Sequence, residues 1–263
     1  MAAVLPAAYN RSMNAGQDLE KKRLNELALR ARYTGAPCFT RFLEPTLERA
    51  ARSAAAQAEV QIAFHGGFEG AERRIAAFHT GEEPEPWEYP LACLEIQWNA
   101  KYANPGHRDL LGATMGLGLE RSATGDIAMG AEEGAAYLFA HNDVESYICA
   151  NLESAGRASL KVRPCTDEPK FREPEGIALR ITVSSPRLDA VIAAGLKLSR
   201  GEAQKLISSG LVKRNHAEEL RGDIHLEEGD LLSVRGHGRM RVEGFEGITR
   251  KGRQAVRLFR YTG

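Results

Sequence analysis

Leu198-Ser199-Arg200-Gly201-Glu202-Ala203-Gln204-Lys205-Leu206-Ile207-Ser208-Ser209-Gly210-Leu211-Val212-Lys213-Arg214-Asn215 is the stretch whose pattern decides the fold. A helix from Ser199 to Ser209 puts Ala203, Leu206 and Ile207 on one face and Arg200, Gln204 and Ser208 on the other. Ser199 suits the N-cap, and the unpaired N–H groups of the first turn, at the positive end of the dipole, offer a place for a phosphate. Leu211 to Asn215 then reads as a strand. Upstream, Ile177 to Val183 is a strand and Pro186 to Ala194 a short amphipathic helix with Leu188, Val191 and Ile192 on one face. Downstream, Asp230 to Gly236 is a strand, and further basic strands follow as far as Tyr261.

Basic residues gather around this helix. Lys213, Arg214, Arg235, Arg239, Arg241, Arg250, Lys251 and Arg253 extend a strip that begins with Arg187, Lys197, Arg200 and Lys205. Gly176 to Gly263 holds 16 Lys or Arg against 10 Asp or Glu, and Met1 to Glu175 holds 19 against 25. The full 263 residues balance at 35 and 35, so only the split is informative. A basic module on an acidic body fits a bound polyanion. A solvated charged face is the bland reading of such residues, but the one-sided cluster at a helix N-terminus favours RNA phosphate.

Working back from this module, Pro164 to Gly176 is polar, holds three prolines and marks a boundary. Before it lie a strand (Leu91 to Asn99), a helix (His107 to Leu119), strands at Asp126 to Gly130 and Ala135 to His141, a helix capped by Asp143, and a strand at Ser159 to Arg163. That β-α-β-β-α-β order predicts a ferredoxin-like layer of helices on an antiparallel sheet. Gly81 to Pro90 is a linker, and the region before it reads as an amphipathic helix opened by Asp18, a helix from Pro45 to Glu59 and a strand from Val60 to His65. The fold class is therefore α+β, in three domains: an N-terminal helical segment (1–83), an RRM-like middle domain (84–175) and a small C-terminal RNA-binding domain (176–263).

Hydrophobic residues are 43% and charged residues 27%, an ordinary balance that excludes wholesale disorder, a fibre or a disulfide scaffold. Cys38, Cys93, Cys149 and Cys165 are scattered and read as small apolar residues of a reducing compartment. No apolar run approaches a membrane span, and MAAVLPAAYN lacks the charged leader of a secretory signal, so a cytoplasmic protein is expected. Trp87, Tyr89 and Trp98 flank the middle sheet and are assigned to core packing rather than to base stacking. Glu72, Arg73 and Arg74 form a local surface ion-pair set.

Two resemblances follow from these residues. Pro186-Arg187-Leu188-Asp189, the quoted helix through Gly210-x-Val212-x-x-Asn215, and Gly229-Asp230 with Val234-Arg235 look like the S4 domain, over about Ile181 to Arg235. The resemblance implies a helix pair on a small curved sheet whose basic face meets structured RNA, through Arg187, Ser199, Arg200, Gln204 and Lys205. The family often follows the Asn with Gly, where this chain has His216. Gly66-Gly67-Phe68 with Ala71-Glu72-Arg73, and His107-Arg108-Asp109-Leu110-Leu111-Gly112-Ala113 running on to Gly125-Asp126-Ile127, resemble the YlmH family. So do Val234-Arg235-Gly236 with Gly238-Arg239, and Arg250-Lys251-Gly252-Arg253. That resemblance implies a factor on the large ribosomal subunit, bound to rRNA near peptidyl-tRNA and acting in translation and ribosome quality control; a monomer is expected. A plastid branch is similar and is linked to photosystem biogenesis.

His107-Arg108-Asp109-Leu110 also spells the start of a kinase catalytic loop, but the required Asn, Gly-rich loop and D-F-G are missing. It reads better as a helix start with Asp109 on the dipole, leaving His107 and Arg108 for a second RNA contact. No nucleophile–base pair, metal cluster or phosphate loop is found, so no catalytic residue, metal or cofactor is expected. The alternative is an RNA-modifying enzyme, of pseudouridine synthase or methyltransferase type, anchored by the same module. A protein-interaction adaptor is the third reading.

Overall fold

The computed structural model describes residues 7–173, 175–249 and 252–262, and these form two compact units, Met1–Arg172 and Glu173–Gly263. The first unit opens with α1 (Ala7–Thr34), β1 (Cys38–Leu43), α2 (Glu48–Ala58), β2 (Gln61–His65) and β3 (Arg74–His79). The strands form an antiparallel sheet in the order β1-β3-β2. Alanines make its helical cover possible. Ala51, Ala54, Ala55 and Ala58 of α2 are buried with Leu24, Ala28 and Ala31 of α1 against Ala76 and Phe78, small side chains letting the backbones approach.

Strands β1 and β3 were not expected, and their absence from the sequence reading has a physical reason. β3 is the central strand and is buried on both faces. Ile75 and Ala77 serve one core while Ala76 and Phe78 serve another, so the alternation that marks a half-buried strand is absent. Asp18 does not open α1, which is already helical from Ala7; it pairs instead with Lys21 at 3.6 Å.

The same unit continues with β4 (Leu91–Gln97), α3 (His107–Gly116), β5 (Thr124–Met129), β6 (Ala135–His141) and α4 (Glu145–Asn151). The short hairpin strands β7 (Ser154–Ala155) and β8 (Ala158–Ser159) lead into β9 (Lys161–Pro164). The antiparallel order β5-β6-β4-β9 is the ferredoxin-like arrangement expected from the element succession. Leu94, Ile96, Ala136 and Leu138 pack one face against Leu110 of α3 and Ile148 of α4. Asp143 does not cap α4, which starts at Glu145 after a short 3-10 turn. Its carboxylate is held by Arg41 and by His141.

The other face of this sheet is closed. Phe139 is 1% exposed, stacked on Phe68 at 5.0 Å between centroids and grouped with Phe42, Ile75, Ala77 and Tyr89. Burying such a ring stabilises by about 2–3 kcal/mol. Gly67 is required beside it: φ is +96°, and a Cβ would fall 2.1 Å from the Phe139 ring. Tyr89 and Trp98 are buried as expected, whereas Trp87 is 80% exposed, since it lies in the linker's 3-10 turn rather than on the sheet. Arg73 is not part of a surface set. It is 7% exposed and donates to the carbonyls of Phe42, Arg121 and Thr124, while Arg74 forms a fork with Glu48 at 2.6–2.8 Å. Of the cysteines only Cys38 is buried; the other three are half-buried.

The second unit contains β10 (Gly176–Val183), α5 (Leu188–Leu196), α6 (Arg200–Ser208), β11 (Val212–Arg214), β12 (Ala217–Glu218), β13 (Leu231–Val234), β14 (Gly238–Ile248) and β15 (Gln254–Tyr261). One sheet runs β10-β15-β14-β13-β11-β12, and each pair in it is antiparallel. Leu188, Val191, Ile192, Ala203 and Ile207 of the helices pack on Val212, Leu232, Val234, Met240, Val242, Val256 and Leu258 of the sheet. The molecule is thus α+β, as its sequence indicates.

Candidate nucleic-acid interface

The start of α5 and the start of α6 meet at one carboxylate. Asp189 is 7% exposed and accepts both Nε and Nη2 of Arg187 at 3.2 Å, while Arg200 Nη2 lies 3.5 Å from its Oδ2. Two guanidiniums on one carboxylate leave a net positive charge, fixed in orientation and half in solvent. Gln204, one turn along α6, lies over the backbone of Gly222. A Cβ there would fall 2.4 Å from Gln204 Oε1 and 3.2 Å from the Asp189 Cβ. The Gly222 carbonyl in turn accepts from the Asp189 N–H at 3.0 Å. Arg187, Arg200 and Gln204 are therefore brought together, with Lys205 exposed further along the same helix.

Sequence reasoning missed Asp189 and Gly222 as organisers of this cluster. An acid two residues after Arg187 at a helix start was the available signal for Asp189. Nothing local marks Gly222, because its neighbours come from two other elements.

The N-terminus of α6 differs from the expected open phosphate cradle. Ser199 Oγ accepts from the Glu202 N–H at 3.2 Å, and the Ser199 N–H donates to Glu202 Oε2 at 2.8 Å. The hydrogen bonds from Ser199, side chain first and backbone second, hold the Glu202 carboxyl below its ordinary range. The helix end already carries an anion of its own, and the cationic groups beside it are what remain for a ligand.

The other expected residues are dispersed. Lys197 is exposed at the left-handed end of α5, φ +57°, and Ser208 Oγ donates back to the Lys205 carbonyl at 3.2 Å. Arg214 turns to Asp230, which is 4% exposed and also accepts from Asn215 and from the Glu227 N–H. Asn215 and His216 both adopt positive φ, 48° and 69°, so the β11–β12 hairpin keeps a left-handed turn with His in the second place. Arg235 is exposed in the β13–β14 turn.

Val212, Val234, Met240 and Val242 face the helices, so the two-residue period turns Lys213, Arg239 and Arg241 to the opposite side of the sheet. Arg241 is held by Glu243 at 2.7 Å, a bond that raises its pKa further. Arg253 donates to the Thr182 carbonyl at 2.7 Å. Arg250 and Lys251 lie outside the described residues. In the first unit, Asp109 caps α3 through the Gly106 N–H at 2.9 Å, and His107 and Arg108 are exposed beside it.

A helix pair on a small sheet with an Arg-rich helix start defines an S4-type RNA-binding module, and residues 186–230 match the S4 domain family. Residues 84–168 match the RNA-binding domain described for YlmH. The chain is 34% identical over 242 residues, 91% of each sequence, to the ribosome-associated protein quality control protein P2 of Bacillus subtilis. It belongs to the YlmH family. The cell division protein ylmH of Streptococcus pneumoniae has a distant likeness in structure, with a TM-score of 0.44 at 19% identity over 63% of this chain and 95% of that one.

Proposed function

We propose that this protein is a non-catalytic RNA-binding factor that acts on the ribosome in quality control of translation. The observation that carries the reading is the Arg187–Asp189–Arg200 cluster, a fixed double guanidinium at the exposed start of an S4-type helix pair. The reading is supported by the Bacillus subtilis relative, whose name places it in ribosome-associated quality control. In this reading the protein is a cytoplasmic monomer that binds structured rRNA on the large subunit, close to peptidyl-tRNA. Arg187, Arg200, Gln204 and Lys205 are its main contacts, and His107 and Arg108 make a second one. The chain then carries three domains, 1–83, 84–175 and 176–263, and the two separate helix-covered cores within the first unit support that division.

The closed aromatic face bears on the mode of binding. An RRM stacks bases on exposed rings of its sheet, but Phe139 and its neighbours are buried, so in this reading the middle domain meets RNA by its edges and loops, where His107 and Arg108 lie. The test is co-sedimentation of the full chain with ribosomal subunits at low and high salt, beside Arg200→Glu/Lys205→Glu. Salt-sensitive movement with large subunits, lost in the variant, is the expected result. A wild-type protein that remains at the top of the gradient in both salts overturns the ribosomal reading.

A further inference from the structure

The side of the C-terminal sheet turned away from α5 and α6 carries a second set of residues. On β15, Val256 and Leu258 belong to the core, so Arg257, Phe259 and Tyr261 point outward. On β10, Leu179 and Ile181 pack against the core, so Ala178 and Arg180 point outward. The registers place Phe259 between Arg241 of β14 and Ala178 of β10, and place Arg180 directly opposite Arg257. Phe259 and Tyr261 meet edge to face at 5.1 Å and 82°, both half-buried. The Phe259 ring leans over the edge strand at Gly176, where a Cβ would fall 2.4 Å from its Cζ.

Two arginines directly opposite one another in a ladder repel, a cost that folding alone does not require. Here one carboxylate answers both: Arg180 Nε lies 2.7 Å from Glu246 Oε2, and Arg257 Nε 3.7 Å from Glu246 Oε1. One positive charge is left over, and both guanidiniums remain more than half exposed. Arg241, which shares its charge with Glu243, lies on the far side of Phe259, so guanidiniums flank the rings on three adjacent strands. Phosphates and the π-faces of unpaired bases fit such a surface together, whereas a duplex would offer phosphates alone.

We propose that this outer face binds single-stranded RNA, with bases stacked on Phe259 and Tyr261 and phosphates held by the Arg180/Arg257 pair and Arg241. The proposal rests on the RNA-binding reading above and adds a second RNA surface, distinct from the helix face and of different preference. The test is fluorescence anisotropy of the full chain with two labelled RNAs, a ten-nucleotide oligouridine and a stable hairpin. Phe259→Leu/Tyr261→Leu keeps apolar bulk but removes both rings. It should weaken oligouridine binding about tenfold or more, since two stacking platforms for bases are lost, and leave hairpin affinity within about twofold. Arg200→Glu/Lys205→Glu should do the reverse.

Arg180→Gln/Arg257→Gln provides a check that leaves the rings in place. It should weaken oligouridine binding and lower its log–log salt slope by about 1. Wild-type binding of oligouridine by both sheet variants, or loss of both RNAs to the same extent, overturns the second surface. A wild-type chain that binds the hairpin but not oligouridine overturns it too. A wild-type chain that binds neither RNA overturns the RNA-binding reading itself.

Discussion

Asp189, on the first turn of α5, holds Arg200 at the start of α6 through a 3.5 Å contact to Nη2, while the same carboxylate takes Arg187 in a fork. The helix pair is thereby tied at its cationic end, and both guanidiniums are oriented before any ligand arrives. Pre-ordering of this kind lowers the side-chain entropy lost on binding, by about 0.5–1.5 kcal/mol for each long side chain.

Replacing Asp189 by Asn separates orientation from charge. The variant gains a positive charge, so affinity for a structured RNA would rise if bulk electrostatics ruled. Orientation is expected to matter more, and the affinity should fall by about tenfold in anisotropy titrations at fixed salt, on the scale of two immobilised side chains. A rise in affinity would show that the two arginines act only as diffuse charge.

Arg200→Gln and Lys205→Gln should each lower the slope of log Kd against log salt by about 0.7–0.9, because each contact to phosphate releases counterions. Arg214→Gln is the control. Its guanidinium is bound to the buried Asp230, so the expected effect is on thermal stability, with the salt slope unchanged. A change in slope with Arg214→Gln would mean that its side chain leaves Asp230 when RNA binds.

Arg73→Ala should destabilise the first unit by about 3–5 kcal/mol in urea unfolding. A buried cation is removed, and three backbone carbonyls, those of Phe42, Arg121 and Thr124, lose their donor. Burial already pulls the Arg73 pKa below its usual value, with the neighbouring Arg121 adding to the shift. Arg73→Lys restores the charge but not the spread of donors, and should recover only a minor part of the loss.

His65 supplies a pH-dependent term. Burial lowers its pKa below 6.5, and its ring lies 5.2 Å from Tyr89. A folded-state pKa below the unfolded one favours the neutral ring, so its contribution is fully present above pH 6.5. That contribution is lost as pH falls through the folded value. Wild-type stability should therefore drop faster than that of His65→Gln as the pH falls below about 6.5 in parallel denaturation series. Parallel curves would remove His65 as the source.

How far the sequence reached is visible in α6. Its three- and four-residue spacing, its Ser cap and its exposed Arg200, Gln204 and Lys205 were all legible, because a helix is organised by neighbours within one turn. The β-α-β-β-α-β order was legible for the same reason, each element carrying its own period. The three-strand sheet was not: β3 (RIAAFH) is buried on both faces and displays no period at all.

What the sequence by itself determined is the class of each half-buried element, the position of the basic module and the family resemblance. Tertiary structure alone decided which arginines are free and which are spent. Arg214 and Lys213 are adjacent in the chain, yet the pleat turns one to Asp230 and the other to solvent. Arg73 was indistinguishable from Arg74 until one was buried under three carbonyls and the other paired with Glu48. Local periodicity is set by bonds along the chain. The partners of a charged side chain are set by elements remote in sequence, and those meet only when the cores have closed.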